Sequence, residues 1–204
     1  MAKTHENLAY AVMLFRSGQL EAAAKLARKV WNREKRNFDA LYLLSTVEMH
    51  LGNLESAASH LAQACRLNPR AAEVWAVRGN VLLALGQHDE ALASFERATE
   101  AKHDFFEAQY NRAKLLKELG RTEEALAAYD RTLAIQPRFA DALANRGNLL
   151  MVLGRFVEAA DTFAKLCMLD PDFEYALGNL VHARQQVCFW DGLGERLDEL
   201  AERQ

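Results

Sequence analysis

Residues 72–105 read AEVWAVRGNVLLALGQHDEALASFERATEAKHDF, and the same outline returns along most of the chain. Gly86 within it belongs to a row, Gly18, Gly52, Gly86, Gly120 and Gly154, spaced at intervals of 34 residues. Five residues beyond each glycine stands an alanine: Ala23, Ala57, Ala91, Ala125 and Ala159. A fixed period of this length marks one helix–turn–helix unit stacked on copies of itself. Such arrays make extended surfaces, so the period points to binding ahead of catalysis.

The glycines divide the chain into frames 4–37, 38–71, 72–105, 106–139 and 140–173, with 174–204 as an atypical end. In the third frame Trp75, Val81, Leu82 and Leu85 run along one helix, Gly86 closes it as a left-handed C-cap, and His88 to Thr99 form a second helix. Asp89 and Glu90, like Glu123 and Glu124, fall in the first turn of a second helix, where carboxylates favour the helix dipole. The repeated alanines let two helices joined by a short turn approach closely. Four places on, Ala27, Leu61, Phe95, Tyr129 and Phe163 lie on the same helical face and fill the seam. Pro69, Pro137 and Pro171 stop the second helices of their frames, and Lys35 and His103 take that place in the first and third.

The 204 residues are 50% hydrophobic and 26% charged, enough apolar material for a folded core. A net charge of −3 offers no global positive field, so neither nucleic acid nor a membrane surface is an expected partner. No apolar stretch approaches the roughly 20 residues of a membrane-spanning helix, and the start lacks a targeting pattern, so the expected compartment is the cytoplasm. Cys65, Cys167 and Cys188 form no close pair, and Cys65 and Cys167 occupy the same place three repeats apart, beyond disulfide reach; both read as small buried hydrophobes. No histidine spacing signals a metal, and no cofactor is expected. There is no nucleophile with its base, no phosphate-cradling glycine loop and no pair of carboxylates outside helix starts, so the chain is not expected to be an enzyme. His182 reads as a structural residue.

Taken together, Trp75, Gly79, Leu82, Gly86, Ala91, Phe95 and Ala98 resemble the tetratricopeptide repeat, in register over about 170 residues. The resemblance implies an all-α fold, a right-handed superhelix of antiparallel helix pairs whose first helices line a concave groove for a peptide or partner helix. First helices about 20 Å long, five deep, make room for an extended segment of about ten residues or more.

The family places groove-facing side chains at the second, fifth, sixth, ninth, twelfth and thirteenth positions of each repeat. The sixth position holds Ala9, Leu43, Val77, Asn111, Asn145 and Asn179 in turn, and the ninth adds Asn80 and Asn148. Carboxamides carry donors and an acceptor together, so such a row can clamp the C=O and N–H groups of an extended peptide without reading its sequence. Asparagine is also frequent at these positions throughout the family, so scaffold use stays open beside clamping. The second position carries Asp39, Glu73, Glu107 and Asp141, either an acidic groove edge or acidic helix starts. The fifth positions Leu8, Tyr42, Ala76, Tyr110 and Ala144 lack the cations with which chaperone-tail binders hold a terminal carboxylate.

The sixth frame opens as a repeat with Leu177, Gly178, Asn179 and Leu180, but Cys188 stands where the turn glycine is due. Asn179 to Ala183, Val187 to Trp190, and Leu193, Glu195, Arg196 and Leu197 resemble the last repeat of SPINDLY-type O-linked N-acetylglucosamine transferases. Phe189 stands where that family usually has aspartate. The resemblance implies the substrate-recognition arm of a protein glycosyltransferase whose catalytic region is not in this chain. The plainer account is a capping helix over 192–203, with an apolar Leu193, Leu197 and Leu200 stripe; the two are compatible. The expected function is a protein- or peptide-binding module, and self-association through the groove or an end is a third use open to the same fold.

Overall fold

The computed structural model describes residues 2–187, with side chains from residue 4 onward. Ten helices follow one another: α1 (Ala2–Arg16), α2 (Leu20–Arg33), α3 (Phe38–His50), α4 (Leu54–Leu67), α5 (Ala72–Ala84), α6 (His88–Ala101), α7 (Phe106–Glu118), α8 (Thr122–Ile135), α9 (Ala140–Val152) and α10 (Phe156–Leu169). A further helix, α11, occupies residues 176–187. The described residues contain no strand, and the architecture is an all-α solenoid. None of the described helices is long and apolar enough to cross a membrane. Helix α6 runs two residues past the Thr99 expected from sequence and stops at Lys102, which leaves the helical region with φ −144°.

Each short turn is built on the periodic glycine. Gly18, Gly52, Gly86, Gly120 and Gly154 have φ between +70° and +79°, a region that side chains with a Cβ avoid. At Gly86 its own N–H donates to the Leu83 carbonyl (3.0 Å) and the Gln87 N–H to that of Leu82 (2.9 Å). That pair of bonds is the Schellman closure, which satisfies carbonyls the helix end would leave bare.

Contacts divide the chain into two compact units, residues 1–108 and 109–204. In the first unit Val30, Trp31, Leu41, Leu61 and Cys65 form one cluster, and Leu14, Ala23, Leu44 and Val47 another. In the second, Leu143, Leu150, Phe163 and Leu166 pack with Ala176, Leu180 and Ala183 of α11. All five periodic alanines and the five residues four places beyond them are fully buried. Cys65 is buried as expected, whereas Cys167, at the same place three repeats on, is only half-buried. His182 is exposed on α11.

Two polar clasps support these cores. Glu48 on α3, 1% exposed, accepts a hydrogen bond from Arg28 of α2 (2.9 Å) and lies 2.6 Å from His60 Nδ1 of α4. Arg78 on α5 donates to both Ser94 and Glu90 of α6 at 2.7 Å. In the second unit, Arg146 on α9 repeats the pattern on α8 and α10, donating to Asp130 at 2.6 Å and to Thr162. The expectations for Cys188, Phe189, Trp190 and the capping helix over 192–203 lie outside the described residues.

Candidate functional site

The asparagines named from sequence stand on first helices: Asn80 on α5 in the first unit, and in the second Asn111 on α7, Asn145 and Asn148 on α9, and Asn179 on α11. Helical periodicity puts positions six and nine of a repeat on one face, three residues apart. Asn111, Asn145 and Asn179 are half-buried, whereas Asn80 and Asn148 are exposed.

Asn145 is the hub of the second unit. Its Oδ1 accepts from Lys117 Nζ on α7 (2.9 Å), and its Nδ2 donates to the Tyr110 hydroxyl (3.2 Å) and to the Asp141 carbonyl (3.0 Å). Both amide protons are therefore committed, and one acceptor lone pair remains. Asn179 Nδ2 reaches Asn148 Oδ1 at 3.4 Å, a long and weak bond between α11 and α9. Asn80 and Asn111 also engage neighbours. Within the row Asn179 and Asn148 are joined directly and Asn145 is joined to Lys117 and Tyr110, links that the residue types alone did not reveal.

Tyr110 is the partner that sequence reasoning passed over. Its ring lies 4.7 Å from Phe139 and 6.0 Å from Tyr129, with Lys114 Nζ 5.7 Å from its centroid. Burial, reinforced by the negative charge of Asp141, pushes its hydroxyl above the ordinary tyrosine range, although the Asn145 bond pulls the other way. Tyr110 therefore meets Asn145 as a neutral phenol. A signal was available in the sequence, since Tyr42 and Tyr110 share the fifth position, one residue before the amide row.

The acidic residues Asp39, Glu73, Glu107 and Asp141 all occupy first turns and are exposed. Of these, Glu73 meets Lys102 at 3.6 Å. Tyr175 takes the next place in the row. It has φ +62°, the one positive φ at a non-glycine among the described residues, and the residue is 73% exposed. Here the sequence frame and the helix part company: the frame opens at residue 174, but α11 begins at 176 because the chain turns through this left-handed residue first. Beside it opens a cleft of about 450 Å³, floored by Phe163 and Leu166 and walled by Asn148 and Asn179. Among the described residues no group of histidine, cysteine and carboxylate side chains could hold a metal ion.

Solved structures share the fold. Most of the chain (85%) superposes on 97% of a MamA protein with a TM-score of 0.78 at 21% identity. A MamA fragment from Desulfovibrio magneticus RS-1 gives a TM-score of 0.75 at 20% identity, covering 85% of this chain and 98% of that one. YrrB, described as a TPR protein with an unusual peptide-binding site, gives 0.74 at 24% identity over 88% of this chain and 90% of its own. At these identities the likeness is one of fold. No curated protein matched the sequence. The tetratricopeptide repeat model matches residues 8–72, 42–105 and 110–176. Helix pairs closed by left-handed glycines at this spacing, matched by that model over most of the length, place the chain in the tetratricopeptide repeat family.

Proposed function

We propose that the chain is a non-catalytic interaction module of the cytoplasm, which holds an extended peptide or a partner helix along its first helices. Asn111, Asn145 and Asn179, with Asn148, are the contacts in the second unit, and Asn80 serves the first. The observation that carries this reading is the row of amides on α7, α9 and α11, with Asn145 joined to Lys117 and Tyr110 and Asn179 to Asn148. Carboxamides carry donors and an acceptor together, so a row of them can meet the N–H and C=O groups of an extended backbone. The fold is shared with YrrB, itself described as having a peptide-binding site.

A peptide array probed with the full chain and with the Asn111→Ala, Asn145→Ala, Asn179→Ala triple variant tests the proposal. Capture should fall in the variant while helical circular dichroism and melting temperature stay nearly constant. A large loss of stability with unchanged capture by the remaining folded protein makes the amides structural instead.

The second reading is the substrate-recognition arm of an O-linked N-acetylglucosamine transferase-like enzyme. It is supported by the same amide row together with the sequence from Asn179 to Leu197. A coding sequence, or a neighbouring one, that continues into a glycosyltransferase region would favour it over the first.

A further inference from the structure

The junction before α11 has the outline of earlier junctions with its charge reversed. Asn68-Pro69-Arg70 and Gln136-Pro137-Arg138 each place a cation after the proline, whereas Asp170-Pro171-Asp172 places an anion there. Glu174 follows, making three carboxylates in five residues. None of the three has an ion-pair partner among the described residues; Asp170 Oδ1 accepts only the Asp172 backbone N–H (3.2 Å). Among the described residues no lysine or arginine lines the adjoining cleft, to which Glu174 contributes directly.

The cleft itself has two kinds of wall. Phe163, Leu166, Phe173 and Ala144 make its apolar side, and Asn148 and Asn179 its polar side. Its volume of about 450 Å³ lies within the range of pockets that take a ligand group. Tyr175 stands at the same cleft with φ +62°, a conformation unfavourable for a residue with a Cβ. The ordinary helix start used at Asp141 would avoid that cost. Strain of this kind persists where the exposed ring has a use.

We infer that this cleft accepts a peptide bearing an apolar side chain next to a lysine or arginine. The apolar group enters against Phe173 and Ala144, and the ligand backbone meets Asn148 and Asn179. The cation sits between Glu174, the 170–172 carboxylates and the Tyr175 ring, which attract it by charge and through the π face. The inference rests on the peptide-binding reading above and adds the ligand's chemistry.

Selection of displayed random peptides on the full chain tests it. The enriched peptides should carry an apolar residue within two positions of lysine or arginine. A synthetic peptide from that pool should lose affinity about ten-fold, a shift of about 1.4 kcal/mol, when its cation becomes glutamate or when the chain carries Asp172→Lys and Glu174→Lys. Tyr175→Gly, which relieves the backbone, should weaken binding at least about three-fold (~0.65 kcal/mol) while melting temperature holds or rises. If the charge-reversed chain fails to fold, Tyr175→Gly and the peptide's own charge reversal still decide. Peptides whose capture depends on Asn111, Asn145 and Asn179 but ignores charge and Tyr175 overturn this inference alone. Enrichment of no peptide at all overturns the peptide-binding reading with it.

Discussion

Gly147 exists for the Phe163 ring: a Cβ placed on Gly147 would lie 2.6 Å from Phe163 Cζ, and Phe163 is fully buried. Gly79 and Phe95 repeat the relationship in the first unit, with the same 2.6 Å approach to Cε1. Two opposing terms then fix the outcome of Gly147→Ala. Helix propensity favours alanine by about 1 kcal/mol, but the buried ring must shift or leave its rotamer, at about 1–3 kcal/mol or more.

The overlap should win, so Gly147→Ala should lose about 1–2 kcal/mol net in chemical denaturation. Phe163→Leu, which copies the Ser45 and Leu61 pairing of the second frame, should recover at least half of that loss in the double variant. A double-mutant cycle with no coupling between the two sites sinks the argument.

The rest of the scaffold was open to reading to different degrees. Gly86 and Ala91 announced turn and seam because a left-handed φ and a close helix approach each select one small residue type. Gly79 and Gly147 gave no such signal alone, since a glycine inside a helix resembles a propensity defect. Their meaning lies in the large residue sixteen places on, where the alanine pair Ala11 and Ala27 shows the opposite size balance. The amide row was visible as residue types, but its links to Lys117 and Tyr110 depend on rotamers and on the stacking of α7 against α9. Tyr175 was foreshadowed only by the end of the acidic row Asp39, Glu73, Glu107 and Asp141.

Glu48 makes a second prediction, because it is the buried member of the clasp and its partners are not. Arg28 is 55% exposed, so its attraction is largely screened, and His60, 18% exposed at 2.6 Å, carries more of the bond. Glu48→Ala should cost about 1–3 kcal/mol through the lost hydrogen bonds and the space left on α3. Arg28→Ala should cost less than half as much. Equal losses in thermal melts would mean that the exposed arginine is the real anchor.

Cys65 sets a limit at high pH. Burial pushes its thiol up from 9.0 to about 11, with the Arg78 charge pulling weakly the other way. A folded-state value raised above the unfolded one means that the unfolded chain loses its proton first. Stability from this group is therefore complete below pH 9 and drains away as the pH climbs toward about 11. Wild type should lose more stability than Cys65→Val between pH 8.5 and 10.5, with other titrating groups common to both. Parallel curves would show that the thiol plays no part.

Tyr110 supplies the prediction closest to function. Asn145 can bind a ligand only with what its neighbours leave, and both of its amide protons are spent on the Asp141 carbonyl and the Tyr110 hydroxyl. The hydroxyl bond, at 3.2 Å, is the longer of the two and the easier to surrender. Tyr110→Phe keeps the ring packed against Phe139 while releasing that proton, at a stability cost of about 0.5–1.5 kcal/mol. A peptide clamped by Asn145 should then bind a few-fold more tightly, since no internal bond has to break first. Asn145→Ala should erase the gain when combined with Tyr110→Phe. If Tyr110→Phe leaves peptide affinity where it was, or weakens it with the fold intact, Asn145 holds α7 to α9 and does not hold the ligand.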